Sequence, residues 1–370
     1  MSRRNNNADR TILTSLSMNG RASLTLIGRK VGLTKQPTYR RIKKLERLCG
    51  IRYVPEINLE QLGYLKFLML VKFIDKIPDV EILIRVLKKE PRVQFAMSLV
   101  GGEHDLIIYV LCTDNQELLY LIRSLARETD LCDYPSKWNV TPFYEHYGFV
   151  PLRNEFLQLL ETRVLKRTRS RVIRNNDKKQ QILMREFAVL TELNFNGAVD
   201  FTSIDRKYGF DRGRSQYAYG KLLEGKVLER ITINMDKLPI LYTGVIFVDV
   251  INQKKFAKTR PIFLVNISSD PKNITNTYSL AGDTGVPFGT ILFKPVFKDG
   301  ELEKTRKMLS KVKGIEIKMA TVTKLLVGGL CYRLFDNAYS IQRGVLTQTY
   351  GYKQADKMDY FQNKHTKQAN

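Results

Sequence analysis

The sequence is poor in the residues that build metal centres, disulfide frameworks and membrane spans. Its four cysteines are far apart and form no Cys-x-x-Cys pair, and only three histidines accompany them, which argues against zinc and predicts reduced structural thiols. No run approaches the ~18 uninterrupted apolar residues of a membrane-spanning helix, and the polar first residues lack the apolar core of a signal peptide. We therefore expect a cytoplasmic protein with no metal, no cofactor and no membrane partner.

Acidic residues are also scarce relative to basic ones. The chain has 37 aspartates and glutamates against 61 lysines and arginines, a formal net charge of +24. A surface with such an excess of positive charge attracts polyanions. With 43% hydrophobic residues over 370 positions, the chain also has enough apolar material for two to four small globular domains. These features predict a folded protein with a polyanionic partner.

A segment of 22 residues occurs twice, 177 positions apart. TILTSLSMNGRASLTLIGRKVG, which begins at Thr11, aligns without gaps on AVLTELNFNGAVDFTSIDRKYG, which begins at Ala188, and ten positions are identical. The shared positions include glycines where a helix ends or a tight turn begins. We interpret the chain as a tandem duplication.

Each half has the pattern of three short helices and a small wing, followed by strands that alternate with helices. In the first half the predicted strands are Leu65–Ile74, Val93–Leu99, Asp105–Cys112 and Trp138–Tyr144. In the second half the strands are Gly244–Ile251, Thr277–Gly282, Thr290–Val296 and Ile315–Leu326, with a helix over Glu301–Val312 and an irregular helix near Pro261. The order β-α-β-β-α-β is ferredoxin-like. The predicted fold class is α+β, with two winged helix-turn-helix domains alternating with two ferredoxin-like domains.

This pattern gives a division of the chain into seven parts. They are a flexible N-terminus (1–8), a first winged helix-turn-helix (9–62), a first ferredoxin-like domain (63–150), a basic linker with a partial helix (151–185), a degenerate second winged helix-turn-helix (186–238), a second ferredoxin-like domain (239–338) and a C-terminal tail (339–370). The linker carries ten basic and three acidic residues, so we expect its basic part to be mobile.

The third helix of the first half, predicted over Thr34–Arg47, has the features of a DNA recognition helix. Thr34 is placed to cap it through its hydroxyl, and Pro37 falls in the first turn, where no helical N–H is lost. We expect one buried stripe, formed by Tyr39, Ile42, Leu45 and Cys49. The predicted DNA contacts are Lys35, Gln36, Thr38, Arg40, Arg41, Lys43 and Lys44.

Two kinds of contact are expected from this helix once it enters a major groove. Gln36 and Thr38, near its N-terminus, would reach base edges, whereas Arg40, Arg41 and Lys44 would bind mainly phosphates, which position the protein without specifying sequence. Residues 1–50 hold twelve basic and two acidic residues, which favours this interpretation over an ordinary solvated helix face.

The same stretch resembles the Lrp/AsnC family of transcription regulators. The resemblance rests on Gly-Leu-Thr at residues 32–34, a proline in the recognition helix, and the ending Arg41-Ile42-Lys43-Lys44-Leu45-Glu46. It implies a sequence-specific regulator whose N-terminal winged helix-turn-helix is joined to a ferredoxin-like effector and oligomerisation domain. One extra residue within residues 48–50 departs from the family pattern.

The second helix-turn-helix has lost much of this chemistry. Its replacements relative to the first copy are Asp211 for Thr34, Gly213 for Gln36, Gln216 for Tyr39, Tyr217 for Arg40 and Gly220 for Lys43. Residues 187–235 hold seven basic and six acidic residues. A glycine within a helix costs about 1 kcal/mol relative to alanine, and an acidic N-cap is repelled by phosphates. We expect this copy to bind DNA weakly or not at all and to serve packing or a partner.

A turn in the first ferredoxin-like domain matches part of the family's effector motif, Thr-Gly-x-x-Asp. Here it reads Gly101-Gly102-Glu103-His104-Asp105, and the family resemblance implies that Gly102, Glu103, His104 and Asp105 bind an amino acid or other small-molecule effector. The alternative is an ordinary tight hairpin. The second copy of the turn, residues 281–285, has glycine at the aspartate position.

The resemblance also bears on assembly and on competing functions. Family members dimerise through their ferredoxin-like sheets, so two copies in one chain could pair internally. If only the first helix reads DNA, a palindromic operator would need two chains, and we expect at least a homodimer. The alternatives are a non-specific chromatin architectural protein and an enzyme like the sirohaem decarboxylases, for which His104 is the only histidine near the relevant turn. We expect a regulator and not an enzyme.

Overall fold

A computed structural model describes residues 3–74, 77–128, 136–147, 152–169, 183–237, 241–259, 274–280, 289–296, 298–328 and 333–334. The helices are α1 (Arg3–Met18), α2 (Leu24–Val31), α3 (Lys35–Cys49), α4 (Val80–Lys89), α5 (Asn115–Glu128), α6 (Asn154–Arg169), α7 (Met184–Phe195), α8 (Phe201–Tyr208), α9 (Arg214–Glu224), α10 (residues 253–259) and α11 (Glu301–Leu309). The strands are β1 (Ile51–Ile57), β2 (Leu65–Phe73), β3 (Val93–Val100), β4 (Leu106–Cys112), β5 (Ser136–Tyr147), β6 (Leu228–Met235), β7 (Tyr242–Val250), β8 (Ile274–Leu280), β9 (Gly289–Val296), β10 (Ile315–Val327) and β11 (Arg333–Leu334).

Eight antiparallel strands form one closed sheet. Those of the first half lie in the order β5-β2-β4-β3 and those of the second in the order β10-β7-β9-β8, which is the ferredoxin-like arrangement predicted from the sequence. The two sets meet where β3 pairs with β10 and where β5 pairs with β8. The ring of strands therefore runs through both halves, and β11 adds a short extension beside β8.

The strands β2, β3 and β4 are buried on both faces, which explains their nearly continuous apolar runs. Along β2, Leu68 and Leu70 point into the ring, while Met69 and Val71 belong to the layer under α4 and α5. Aromatic rings from both halves meet inside, for example Phe95 and Phe293 with centroids 5.9 Å apart. The interior is therefore a core shared by the two halves.

The two helix-turn-helix units are joined by a strand from each. The small wing expected within each half is a single strand, and β1 pairs antiparallel with β6. The pairs Val54 with Thr232 and Pro55 with Ile231 lie near the centre of this ladder. Each of these strands therefore finds its hydrogen-bonding partner in the other half.

The repeated Asn-Gly motif explains how the first helix of each unit approaches the strand of the other. The amide of Gly20 donates to the carbonyl of Ile231 at 2.7 Å, and the amide of Gly197 donates to that of Tyr53 at 2.9 Å. A Cβ atom at either glycine would lie within 3.0 Å of these partners. Ile233 of β6 also completes the core of the first unit, together with residues of α1, α2 and α3.

Several predictions fall on other parts of the chain. The irregular helix at Pro261, the basic stretch 170–182, the second turn at 281–285, the tail from 339, Cys132 and Cys331 all lie outside the described residues. Cys49 and Cys112 are free thiols. Within the described ranges, no helix is long and apolar enough to cross a membrane, and no group of three or more metal-binding side chains occurs.

Candidate nucleic-acid interface

The turn between α2 and α3 is fixed by glycines. Gly32 ends α2 with a φ of +68°, a conformation that favours glycine. A Cβ atom on Gly28 would lie 2.5 Å from the carbonyl oxygen of Leu33 and 2.8 Å from the hydroxyl of Thr38, so only glycine allows this close contact of the two helices. Gly28 was not predicted to have this role, although a glycine inside a short amphipathic helix is a signal of close packing.

Thr38 lies on the buried side of α3, not on its exposed side. Its side chain is fully buried, and its hydroxyl donates to the carbonyl of Thr34 at 2.8 Å. The prediction that Thr38 reaches base edges was therefore wrong. The buried residues of α3 are Thr38, Ile42 and Leu45, with spacings of four and three, while Tyr39 is 43% exposed. Of the residues predicted to form the buried stripe, Ile42 and Leu45 are buried and Cys49 is partly buried, while Thr38 takes the place predicted for Tyr39.

The start of α3 also differs from the expected cap. Thr34 has the extended backbone of an N-cap residue, but its side chain makes no capping hydrogen bond. Its carbonyl instead accepts from both the amide and the hydroxyl of Thr38. Pro37 lies in the first turn, as predicted. The first backbone amides of α3 therefore receive no hydrogen bond from the Thr34 side chain. They face outward at the N-terminus of the helix, which is the positive end of its dipole.

An exposed basic face surrounds the N-terminal part of α3. Lys35, Gln36, Arg40 and Lys44 are all exposed, and the three cations among them have no acidic partner within the described part of the chain. Lys43 is half-exposed and pairs with Glu46 at 2.6 Å. Unpaired exposed cations beside an outward-facing helix end form the kind of surface that binds a phosphate backbone.

Arg41 has a different environment from its neighbours. Its side chain is only 21% exposed, and its Nε donates to Oδ1 of Asp9 at 2.5 Å. The guanidinium thus ties α3 to α1. The phosphate contact predicted for Arg41 stays a prediction, for a side chain that already forms this ion pair.

The corresponding helix of the second unit, α9, begins two residues later than the repeat predicts. Its N-cap is Gly213, with a φ of +84°, and not Asp211, which is exposed. The buried carboxylate of Asp205 accepts from the amides of Ser215 at 2.8 Å and Gly213 at 2.7 Å. Hydrogen bonds from Ser215 and Gly213 hold the pKa of Asp205 below its usual range. Of the two glycines expected within this helix, only Gly220 lies inside it.

The residues of the predicted effector turn lie together at the contact between the two halves. Both oxygens of Asp105 accept hydrogen bonds, one from Nζ of Lys72 at 2.8 Å and one from the amide of Phe73 at 2.9 Å. A Cβ atom on Gly102 would lie 2.9 Å from that of Ala320 in β10. A ligand ammonium group would therefore have to displace Lys72 in order to reach the carboxylate of Asp105.

The other two residues of this turn reach across to the second half. Glu103 pairs with Lys318 of β10 at 3.1 Å. The His104 ring lies edge-on to that of Phe247 in β7, with centroids 5.4 Å apart. Burial at this contact lowers the pKa of His104, although carboxylates of Glu103, Asp249 and Asp105 act in the opposite direction.

Comparison with known proteins agrees with the geometry of the first unit. The family model of the AsnC-type helix-turn-helix domain matches residues 7–46, which contain most of α1, α2 and α3. An uncharacterised HTH-type transcriptional regulator of Pyrococcus furiosus is 34% identical over 123 residues, covering 32% of this chain and 79% of the relative.

Among solved structures, the siroheme decarboxylase NirDL is similar in fold over nearly the whole chain. Its crystal structure has a TM-score of 0.56 at 12% sequence identity and covers 92% of this chain and 99% of that one. Its complex with an iron-uroporphyrin III analogue has a TM-score of 0.51 at 14% identity, with 92% and 98% covered. At this identity the likeness shows the fold alone, whereas the matches in sequence show the family. The chain belongs to the Lrp/AsnC family of helix-turn-helix transcription regulators.

Proposed function

We propose that this DNA-binding regulator recognises specific sequences by inserting the N-terminal end of α3 into the major groove of double-stranded DNA. The observation that carries the proposal is the exposed end of α3, where Gln36 lies between unpaired cations on a rigid turn. The Gln36 amide can donate and accept towards one adenine edge. Lys35, Arg40 and Lys44 would bind phosphates on either side of the groove, with Lys43 in a lesser role because it pairs with Glu46.

A pair of substitutions distinguishes the two kinds of contact. Gln36→Ala should reduce discrimination between a selected site and a scrambled duplex by about 1–3 kcal/mol. Lys44→Ala should weaken binding to both duplexes equally and lower the slope of log affinity against log salt by about 1. Fluorescence anisotropy at several salt concentrations measures both effects.

Lys304→Ala is the matched control, because Lys304 is an exposed lysine of α11, an element outside the helix-turn-helix. It should leave both affinity and salt slope nearly unchanged. If Gln36→Ala and Lys44→Ala behave like Lys304→Ala, α3 is not the recognition helix.

We further propose that a small-molecule effector, such as an amino acid, acts at the turn of Gly102, Glu103, His104 and Asp105. Support comes from its position, since these residues connect the first half to β7 and β10. A ligand that replaces Lys72 at the carboxylate of Asp105 would alter the contact of this turn with β7 and β10. Addition of the effector should raise the unfolding temperature of the native chain but not that of the Asp105→Asn variant. If none of the twenty amino acids raises the unfolding temperature of the native chain, the effector is not an amino acid.

Two other functions give different experimental results. A chromatin architectural protein would protect DNA uniformly in a footprint, whereas a regulator protects discrete sites. An enzyme acting on tetrapyrroles would change the absorption band of an added tetrapyrrole. The similarity to siroheme decarboxylase is one of fold at 12% identity, so it gives no support to that activity beyond the shape of the chain.

A further inference from the structure

We infer that one chain is a complete DNA-binding unit whose target is a non-palindromic site. In this arrangement α3 reads the sequence of one major groove, and the second helix-turn-helix holds only the backbone at the next. The inference rests on the proposed function of α3, and it differs from the homodimer expected from the sequence.

The surfaces through which two such sheets pair are already used within the chain. The edge strand β3 is covered by β10, and the edge strand β5 is covered by β8. The pairing of β8 with β9 then closes the ring. Because a closed sheet has no free edge, these eight strands offer no pairing site to a second chain.

The two helix-turn-helix units are related by a local twofold axis. In the ladder of β1 and β6, residues separated by about the repeat length pair across its centre, at Val54 with Thr232 and at Pro55 with Ile231. The Gly20 and Gly197 amides make equivalent hydrogen bonds on opposite sides of this ladder. In dimeric helix-turn-helix proteins, a twofold axis places the two recognition helices ~34 Å apart, in successive major grooves. DNA bound to α3 would therefore pass along α8 and α9.

The second unit has no side chain with which to read bases at the position of Gln36. That position is Gly213, which caps α9 and has a φ of +84°. Further along the helix, Tyr217 and Gly220 stand where α3 has arginine and lysine. Two of the cations in α9 are also neutralised locally, since Arg214 lies 3.7 Å from Asp211 and Lys221 lies 2.7 Å from Glu224.

The cations that flank the turn are nevertheless retained. Arg206, Lys207 and Arg212 occupy the repeat positions of Arg29, Lys30 and Lys35. Arg206 and Arg212 are exposed and have no acidic partner within the described ranges, whereas Lys207 pairs with Glu192 at 2.7 Å. Cations at the edge of a groove bind phosphates irrespective of sequence. The second unit thus keeps exposed cations that can hold DNA, while the glutamine of α3 has no counterpart at its repeat position.

Selection of sites from random duplexes by the full chain tests the symmetry of the target. We expect a motif confined to one half-site, with footprint protection extending about one helical turn to one side without further sequence preference. Light scattering of the complex should give one chain per duplex. A palindromic motif bound by two chains would overturn the inference and leave the proposed function standing, while the absence of any preferred site would overturn both.

A double substitution tests the role given to the second unit. Arg206→Ala with Arg212→Ala should lower the affinity by the same factor for the selected and the scrambled duplex, and lower the salt slope by about 2. Lys304→Ala with Lys307→Ala removes two exposed charges from α11 and should leave the salt slope unchanged. If both double variants bind like the native chain, the second unit does not hold the backbone.

Discussion

The buried carboxylate of Asp205 determines where the recognition-like helix of the second unit begins. Its two oxygens accept from the amides of Gly213 and Ser215 at the start of α9. The same position in the first unit is Gly28, which has no side chain, and there α3 begins two residues earlier in the repeat. One residue therefore accounts for the different starts of two helices that have similar sequences around them.

Loss of this carboxylate should destabilise the chain. We expect Asp205→Ala to lower the free energy of unfolding by about 1–2 kcal/mol at pH 7, because the capping hydrogen bonds are lost. The pKa of Asp205 is lower in the folded chain than in the unfolded one. The stabilisation by its carboxylate is therefore fully present above the unfolded pKa and is lost as the pH falls through the folded pKa. Urea unfolding should therefore show the native chain and the variant converging in stability in acid. Equal differences at all pH values would contradict this role, and Asp211→Ala, at an exposed position, is the control.

Two glycine substitutions should have opposite effects. Gly28→Ala should cost about 1–3 kcal/mol of stability, because the new Cβ would meet the Leu33 carbonyl and the Thr38 hydroxyl. Gly220→Ala should stabilise by about 1 kcal/mol, because Gly220 lies inside α9 with open space around its Cα. Thermal unfolding measures both, and a Gly28→Ala variant as stable as the native chain would exclude the close contact between α2 and α3.

For individual residues of α3, the sequence predicted the kinds of side chain at the surface better than the direction in which each side chain points. Lys35, Gln36, Arg40 and Lys44 are exposed, as expected, but Thr38 is buried and Tyr39 is exposed. Adjacent residues of a helix point about 100° apart, and the close packing of α2 against α3 at Gly28 is what buries Thr38 and not Tyr39. Pairing of a basic residue with a distant acid, as for Arg41, depends on the tertiary structure in the same way.

Among the secondary-structure elements, the C-terminal end of α4 is capped from a distant part of the chain. The guanidinium of Arg153, just before α6, donates to the carbonyls of Lys88 and Val93 at 2.7 Å, of Glu90 at 3.1 Å and of Leu87 at 3.4 Å. Its side chain is only 9% exposed. The arginine therefore satisfies carbonyls that a helix end otherwise leaves without partners.

Removal of this cap should be costly. We expect Arg153→Ala to lower the free energy of unfolding by about 2–4 kcal/mol, since several partly buried carbonyls lose their donors. Arg153→Lys should be intermediate, because an ammonium group keeps the charge but cannot reach all the carbonyls with the planar fork of a guanidinium. Chemical denaturation measures this order, and a lysine variant equal to the native chain would show that charge alone is needed.

The elements themselves were largely predictable, but their partners were not. Strands β2, β3, β4, β7, β9 and β10 begin and end within two residues of the predicted limits, because their apolar runs have clear boundaries. The pairing of β1 with β6 joins residues more than 170 positions apart, and no local pattern specifies such a partner.

At the scale of the whole molecule, the closed ring makes each half dependent on the other. Without the second half, the edges of β3 and β5 and the strand β1 would lose their partners, and the first unit would lose Ile233 from its core. A fragment of residues 1–150 should therefore form dimers or aggregates, whereas the full chain should be monomeric in light scattering. A stable monomeric fragment would contradict this dependence.

The ferredoxin-like strand order was foreseen from the sequence, but the single ring was not. The apolar pattern of a strand indicates that the strand is buried. It does not indicate whether an edge strand of the first half pairs with an edge strand of the second half. That choice is made by shape and packing inside the ring, where Phe95 and Phe293 meet. The family resemblance alone suggested the possibility of internal pairing.

The ladder of β1 and β6 also has a consequence for the response to protein concentration. A regulator made of two separate chains loses its paired form on dilution, so its occupancy of DNA falls steeply at low concentration. Here the two helix-turn-helix units belong to one chain and hydrogen-bond to each other, so their effective concentration is fixed by the fold and independent of the amount of protein. Occupancy should then follow a simple hyperbolic curve down to the lowest expression level.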